Sequence, residues 1–249
     1  MNAANDELVF APLGGFGEIG MNLALYGLGP KGRMKWLMVD CGIAFAGPEL
    51  AGIEVIVPDP SFIEKMRQDL VGLGITHAHE DHIGAVADVW PKLGCQVYAT
   101  RFAAELLRAK RLSEPGAPEV PIKIVPQGGT IEAGPFSVEF IAMAHSIPES
   151  CALAIRTPLG AIVHSGDWKI DAEPGLGALT DEKRLKAIGD EGVLAVICDS
   201  TNILREGISP SESEVGRTLR EIIAESSGRV VVTTFASNVA RIRAVAEAA

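Results

Sequence analysis

The segment His77-Ala78-His79-Glu80-Asp81-His82 constrains this chain more than any other feature of its sequence. The protein has only five histidines in 249 residues, and three of them fall within these six positions. An apolar strand pattern ends just before the segment, and residues two apart on a strand point to the same side, so His77 and His79 should project together. Asp81 and His82 follow at a turn and helix start, at a second, adjacent position. The pattern predicts a metal-binding loop, because imidazole and carboxylate groups bind divalent metals.

Two further polar residues follow strand patterns downstream. His145 comes just after the apolar run Phe136–Ala142, and Asp167 comes just after the run Ala161–His164. Loops at strand ends commonly carry functional side chains, and the two oxygens of Asp167 could bridge two metals. We therefore predict a centre with two divalent ions, with Zn²⁺ favoured and Mn²⁺ the alternative. The predicted ligands are His77, His79, Asp81, His82, His145 and Asp167.

The order of these motifs resembles that of the metallo-β-lactamase superfamily. Asp40, in Val39-Asp40-Cys41-Gly42, matches the first motif of that superfamily. The match is nearer to its β-CASP nucleases, and among them to the ribonuclease J family. The segments that carry this nearer match cover almost the whole chain; they are Leu13–Asn22, His77–Gly84, His145–Pro148, Ser165–Lys169, Cys198–Asn202 and Thr234–Asn238.

The resemblance implies an α/β fold, namely an αββα sandwich with the metals at its edge. It implies a metallo-β-lactamase domain over residues 1–208, and the start of an inserted β-CASP α/β domain over residues 209–249. The last helix pattern runs to Ala249 without a cap, so we expect a truncated N-terminal part of a longer protein. The family's last ligand histidine would lie downstream of residue 249. Because residues 1–249 lack that ligand, we expect them to hold the second metal weakly.

The resemblance also implies a role for each matching residue. Asp40 would support the histidine loop from behind the ligands. Asp199 would act with a downstream histidine in protonating the leaving oxygen, which makes Asp81, Asp167 and Asp199 the predicted catalytic residues. The predicted division is His77, His79 and His145 on the first metal, Asp81 and His82 on the second, and Asp167 on both.

The function implied is that of a metal-dependent ribonuclease in RNA processing and decay. It would be a 5′-to-3′ exoribonuclease with endoribonuclease activity, using a hydroxide shared by the two metals to attack the RNA phosphodiester. One alternative is a hydrolase that has the same αββα sandwich but acts on another ester or phosphoester. The Asp199 segment and the region after Ser209 argue against this alternative. The other is an inactive scaffold, against which the six intact predicted ligands argue.

The sequence is compatible with two interpretations for several polar residues. Ser237 and Asn238 precede a helix pattern, where they could cap the helix or contact an RNA phosphate. His164 is predicted to be structural, with metal binding as the alternative. Lys169 could touch RNA phosphate or be a solvated surface charge. The glycine-rich segment Gly14–Gly20 precedes a strand pattern rather than a helix, which favours a turn over a nucleotide-binding loop.

Charge and composition limit the partners. The net charge of −10 argues against a broad basic surface, although a local positive site at the metals remains compatible with RNA as substrate. We expect no membrane association, because no apolar run approaches about 20 residues and the N-terminus lacks a signal pattern. The four separated cysteines are predicted to be buried, reduced thiols of a cytoplasmic protein. A homodimer is expected for the full-length protein.

Local periodicity also predicts helices and strands in other parts of the chain. Phe62, Ile63, Met66 and Leu70 recur as one helix face. Leu194–Cys198 is predicted to be a buried strand. The segment Ser209-Pro210-Ser211-Glu212 is predicted to start a helix that runs to about Ser226. A strand over Val230–Thr234 and another helix follow, which is a βαβ-like rhythm distinct from the strand-rich first part.

Overall fold

The computed structural model describes residues 5–113 and 116–249. Its strands form two main sheets and one short hairpin, β4 (Ala44–Phe45) with β5 (Val55–Ile56). The first sheet, in spatial order, contains β1 (Asp6–Gly14), β2 (Leu23–Pro30), β3 (Lys35–Val39), β6 (Leu70–Gly74), β7 (Val97–Ala99) and β8 (Ile122–Ile124). The second, in spatial order, contains β13 (Ala195–Ile197), β12 (Gly160–His164), β11 (Cys151–Thr157), β10 (Phe136–Ala142) and β9 (Thr130–Ala133).

The helices of the described residues lie between and after these strands. They are α1 (Ser61–Glu64), α2 (Glu80–Ile83), α3 (Val86–Leu93), α4 (Arg101–Ser113), α5 (Glu182–Glu191), α6 (Glu212–Glu225) and α7 (Val239–Ala248). None of the helices described is long and apolar enough to cross a membrane.

The main core lies between the two sheets. Alternate residues of β2 point in opposite directions, so that Ala24 and Tyr26 face the second sheet while Leu23 and Leu25 face the helices. The β2 strand is therefore buried on both faces, which explains its nearly continuous apolar sequence. Across the interface, Phe136, Phe140 and Leu153 of the second sheet complete this layer and are, like Tyr26, fully buried.

Helices cover the outer faces of both sheets. Ile83 and Val86 pack with Met38 and Ile75 on the outer side of the first sheet. On the second sheet, Ile188 of α5 packs against the outward-facing residues of β10, β11 and β12. This helix–sheet–sheet–helix layering confirms the αββα sandwich predicted from the sequence.

The predicted helix over residues 62–70 was mostly wrong. Only α1 forms, followed by a 3₁₀ turn at Arg67–Asp69, and Leu70 begins β6. Leu70 pairs with Trp36 in a parallel ladder between β6 and β3. The tertiary strand pairing overrides the local helical period, because an isolated short helix is only marginally stable.

Two predictions for the later part of the chain were also wrong. β13 forms, but Leu194 and Val196 are exposed rather than buried, and Cys198 beside them is an exposed free thiol. Residues 230–234 form no strand, and Val231 is exposed. The physical reason is the same in each place: in the described part of the chain no layer covers β13, and no strand pairs with residues 230–234.

The helices after Ser209 begin as the sequence predicts. The Ser211 hydroxyl accepts a hydrogen bond from the backbone N–H of Glu214 at 3.0 Å and caps α6. Arg241 of α7 pairs with Glu212 at 3.1 Å, which holds the two helices together at the start of α6.

Candidate metal centre

The loops after β6, β10 and β12 meet at one edge of the sandwich. There His79 Nδ1 lies 3.1 Å from His77 Nε2 and 3.1 Å from His145 Nε2. Asp167 Oδ2 lies 3.7 Å from His145 Nε2 and 4.0 Å from His77 Nε2. One ligand atom from each of these four residues lies within 4.8 Å of all the others, an arrangement that could hold a metal ion.

A second group shares Asp167 with the first. The other oxygen of that carboxylate, Oδ1, lies 3.2 Å from His82 Nε2, and Asp81 Oδ2 lies 3.5 Å from the same nitrogen. Asp81, His82 and Asp167 also bring one ligand atom each within 4.8 Å of one another. Asp167 therefore turns one oxygen towards each group.

The electrostatics of the first group favour ligand-ready side chains. Burial lowers the pKa of His77 and His79, and lowers that of His145 to about 4. For Asp167, burial opposes ionisation, but the hydrogen bond and charge of His82 outweigh it and lower the pKa to about 2. At neutral pH this group offers neutral imidazoles and a carboxylate, the protonation states that bind divalent metals.

Asp40 lies behind this centre and is completely buried. Its Oδ1 accepts from the Thr76 backbone N–H at 2.8 Å, and its Oδ2 pairs with the Thr76 hydroxyl at 2.8 Å and His82 Nδ1 at 2.7 Å. Burial alone would lower the pKa of His82, but Asp40 and Asp167 raise it well above its usual value. Asp40 thus holds the His82 ring with Nε2 towards Asp167, an orientation that carboxylates commonly impose on metal-ligating histidines.

Replacing Asp40 by Asn should weaken metal binding about 10- to 100-fold, the usual effect of losing such an orienting partner. The amide offers only one acceptor oxygen for the three groups that Asp40 contacts. Asn tolerates the left-handed backbone that Asp40 adopts at φ +60°, so the fold should survive. Competition with a chelator measures the metal affinity, and an affinity equal to that of the parent would contradict the role given to Asp40.

The backbone of the histidine loop is fixed by two segments distant in sequence. Cys41 N–H donates to the His82 carbonyl at 2.8 Å, and Asn22 N–H donates to the Asp81 carbonyl at 3.0 Å. The Asn22 side chain also donates to that carbonyl at 3.0 Å. Gly42 packs so closely that an added Cβ would lie 1.6 Å from the Asp81 carbonyl oxygen. Sequence reasoning assigned no role to Asn22 or Gly42, because nothing local to either residue shows what it approaches.

A cleft of about 470 Å³ opens above the second group. Asp81, His82 and Asp167 line it, together with the glycine-rich segment 15–20 and residues 197–201, which include Asp199. The Asp199 backbone N–H donates to Ser165 Oγ at 2.9 Å, and its carboxylate accepts from the Thr201 hydroxyl at 2.6 Å. A larger cavity of about 610 Å³ lies between α4 and residues 117–122, and no predicted ligand lines it, so cavity size alone does not identify the site.

His164 lies outside both ligand groups of the described residues. Its Nδ1 lies 2.8 Å from the hydroxyl of Tyr26, in the buried layer between the sheets. Burial lowers the pKa of His164 to about 4 and raises that of Tyr26. The neutral imidazole therefore shares a hydrogen bond with the phenol, which agrees with the structural interpretation of His164.

Replacing Tyr26 by Phe should lower the free energy of unfolding by about 1–3 kcal/mol, because it leaves a buried imidazole nitrogen without its hydrogen-bond partner. Bound metal should stay at the parental level. Urea unfolding and metal analysis of the same preparation measure the two quantities. Loss of metal on removal of this hydroxyl would instead place His164 in the machinery of the metal centre.

The remaining residues singled out from the sequence lie elsewhere. Asn238 Oδ1 accepts from the Arg241 backbone N–H at 2.9 Å and caps α7, which confirms the capping interpretation for Asn238. Neither Ser237 nor Asn238 is among the described residues that line the cleft. Lys169 is neither free nor fully solvated, since its Nζ pairs with the buried Asp171 at 2.9 Å.

Comparison with known proteins gives one family. Residues 30–230 match the metallo-beta-lactamase superfamily. Among curated relatives, ribonuclease J of Sinorhizobium meliloti is 59% identical over 99% of this chain, which spans 44% of that relative's length. Ribonuclease J of Mycolicibacterium smegmatis is 40% identical over 95% of this chain and 42% of its own length. The chain therefore spans less than half the length of these relatives.

Solved structures show the same fold. A protein of unknown function from Enterococcus faecalis superposes with a TM-score of 0.65 at 18% identity, covering 96% of this chain and 63% of its own. Unliganded yeast PDE1 superposes with a TM-score of 0.53 at 12% identity, covering 97% of this chain and 94% of its own. At these identities the likeness concerns the fold alone.

Proposed function

The chain belongs to the metallo-beta-lactamase superfamily, and from this premise we propose that it is the metal-binding part of an RNA-cleaving hydrolase of the ribonuclease J type. The observation that carries the proposal is the pair of ligand groups that share Asp167 at the sandwich edge. A carboxylate between two metal sites suits hydrolysis of a phosphodiester, in which charge builds on several oxygens at once. The curated relatives named ribonuclease J, at up to 59% identity, support RNA as the substrate.

The proposed ligands follow the two groups. His77, His79 and His145 would hold the first ion, and Asp81 and His82 would hold the second, with Asp167 on both. The donor set fits divalent ions, since it combines imidazoles with carboxylates. The His77, His79 and His145 rings are neutral, whereas His82 would release its proton when it binds an ion. Nitrogen-rich coordination favours Zn²⁺ at the first position, and the oxygen-richer second position would also accept Mn²⁺.

The bound ions would lower the pKa of water and neutralise charge on the phosphate oxygens. The chain's own residues orient the reaction. Asp81 and Asp167 face the floor of the cleft where the scissile phosphate would lie. Asp199 also lines this cleft, and its backbone N–H donates to Ser165, two residues before Asp167. From there, and with a histidine supplied downstream, we propose that Asp199 protonates the leaving oxygen.

We further propose the finer properties that the resemblance implies. They are 5′-to-3′ exonuclease activity with endonuclease ability, a role in RNA processing and decay, and a cytoplasmic location. Residues 1–208 would be the metallo-β-lactamase domain and residues 209–249 the start of the β-CASP domain. Homodimer formation by the full-length protein stays a prediction.

The test uses the full-length protein and end-labelled RNA that carries a 5′ monophosphate or a 5′ triphosphate. We expect metal-dependent release of single nucleotides from the monophosphate end. The Asp81→Ala variant should lose this hydrolysis while keeping its fold by circular dichroism, because it removes one ligand from the second group. The matched control is Asp88→Ala, which removes an exposed aspartate from α3 and should cleave like the parent.

Two outcomes would contradict the proposal. Unchanged cleavage by Asp81→Ala would remove the second metal group from the chemistry. No cleavage of either RNA by parent protein with metal shown to be bound would exclude RNA as the substrate.

A further inference from the structure

The two loops that carry His145 and Asp167 are not neighbours in their sheet. His145 follows β10 and Asp167 follows β12, and β11 lies between these strands. Because adjacent strands are about 4.8 Å apart, the ends of β10 and β12 should be separated by roughly 10 Å. Yet His145 Nε2 and Asp167 Oδ2 are 3.7 Å apart. Both side chains must therefore point towards each other across the end of the intervening strand, which requires that the two loops be held in place.

One hydroxyl joins the two loops beyond the first residue of β11, which runs antiparallel to β10 and β12. Thr180 Oγ1 accepts from the backbone N–H of Ala144 at 2.9 Å and donates to the backbone carbonyl of Lys169 at 3.2 Å. The Lys169 backbone N–H in turn donates to the Ala144 carbonyl at 3.0 Å. Ala144 directly precedes His145, and Lys169 lies two residues after Asp167. The three bonds form a closed link between the backbones that carry the two side chains.

We propose that Thr180 is a positioning residue for the metal centre, because its hydroxyl clamps the His145 loop to the Asp167 loop. The inference rests on the proposed ligand roles of these two residues. Metal affinity depends on how well ligands are oriented before the ion arrives, and partners outside the ligand set commonly contribute about 10- to 100-fold to it. Within the part of the chain that the structure describes, the hydroxyl of Thr180 bonds to backbone atoms of the two loops and to no ligand atom, so it acts through the loops.

The alternative is that Thr180 stabilises the fold and has no specific effect on metal binding. Thr180 also precedes α5, whose cap Asp181 accepts from the Arg184 N–H at 2.9 Å and donates its own N–H to the Ala142 carbonyl at 2.9 Å. Loss of the Thr180 hydroxyl could therefore loosen α5 on the outer face of the sheet. That effect would lower stability without a specific change in metal affinity.

The experiment compares variants of the full-length protein for Zn²⁺ affinity, measured by chelator competition, and for unfolding free energy in urea. Thr180→Val keeps the shape and removes both hydrogen bonds, and its Zn²⁺ dissociation constant should rise about 10- to 100-fold. Thr180→Ser keeps the hydroxyl and should bind Zn²⁺ like the parent. If the Val variant fails to fold, Thr180→Ala removes the same hydroxyl with less bulk and carries the same expectation.

Thr157 provides a matched control in the same strand system. Its hydroxyl also donates to a backbone carbonyl, that of Gly160 at 2.8 Å, and accepts a backbone N–H, that of Leu159 at 3.2 Å. It lies in the hairpin at the other end of β11 and β12, away from the metal centre. Thr157→Val should lower stability while leaving Zn²⁺ affinity at the parental value.

The outcomes separate this inference from the proposed function. Weaker Zn²⁺ binding in Thr180→Val, parental binding in Thr180→Ser and parental binding in Thr157→Val support the clamp. Parental Zn²⁺ affinity in Thr180→Val, in a protein that binds metal and cleaves RNA, overturns the clamp alone. Equal weakening in both Val variants overturns it too, because the effect then follows stability. A parent protein that binds no divalent ion overturns both proposals.

Discussion

Asp167→Asn should abolish hydrolysis and leave the protein short of metal at both positions. The substitution preserves size but removes the charge and one of the two oxygens that Asp167 turns towards the ligand groups. An amide nitrogen cannot replace a carboxylate oxygen as a ligand, so whichever way the amide lies, one group loses its member. The effect on rate should exceed the roughly 10- to 100-fold that follows loss of an orienting partner.

Metal content by elemental analysis and cleavage of labelled RNA test this expectation together. Asp190→Asn is the matched control, because it makes the same change at an exposed position in α5 and should retain parental metal and activity. Retention of two ions by Asp167→Asn would show that the groups are independent and that Asp167 does not bridge them.

Gly42→Ala should disrupt the histidine loop more severely than any other addition of a single methyl group to the described glycines. The new Cβ would lie 1.6 Å from the Asp81 carbonyl oxygen, 1.9 Å from its carbon and 2.6 Å from the His82 nitrogen. These are backbone atoms, so no side-chain rotation relieves the overlap. The loop must move outward, which breaks the bond from Cys41 N–H to the His82 carbonyl. We expect loss of the second metal and a stability loss of about 1–3 kcal/mol, typical of overpacking.

Gly189→Ala provides the control for this substitution. Gly189 lies in α5, and a Cβ added there would meet nothing within 4 Å. Alanine in a helix is favoured over glycine, so this variant should gain about 0.4–1 kcal/mol and keep parental metal binding. Urea unfolding and metal analysis apply to both proteins. Parental metal content in Gly42→Ala would contradict the close packing that we assign to this loop.

The candidate ligands of the metal centre could be predicted from the sequence because they depend on residue type at short spacing. Three histidines and an aspartate within six positions, and lone polar residues after strand patterns, identified the residues that the fold brings together. Strand patterns such as Phe136–Ala142 were also readable, since the two-residue alternation of a strand and its apolar run are local properties. The αββα layering followed only from the family resemblance of these motifs.

Elements whose formation depends on partners were predicted less well. Leu70 joined a strand rather than a helix because β3 lay beside it, and residues 230–234 stayed irregular because no described strand did. Burial of β13 was likewise mispredicted, since an apolar sequence does not reveal whether another layer covers it. In each case the deciding energy comes from contacts with distant segments, which local periodicity does not record.

The supporting contacts of the centre were decided by tertiary structure alone. Asp40 meets Thr76 across 36 residues, Asn22 meets Asp81 across 59, and Tyr26 meets His164 across 138. The sequence shows that a carboxylate can accept a hydrogen bond, but it does not show which donor lies beside that carboxylate in the folded chain. That pairing is set when the sheets pack and buried polar groups must find partners, and so it exists only in the folded molecule.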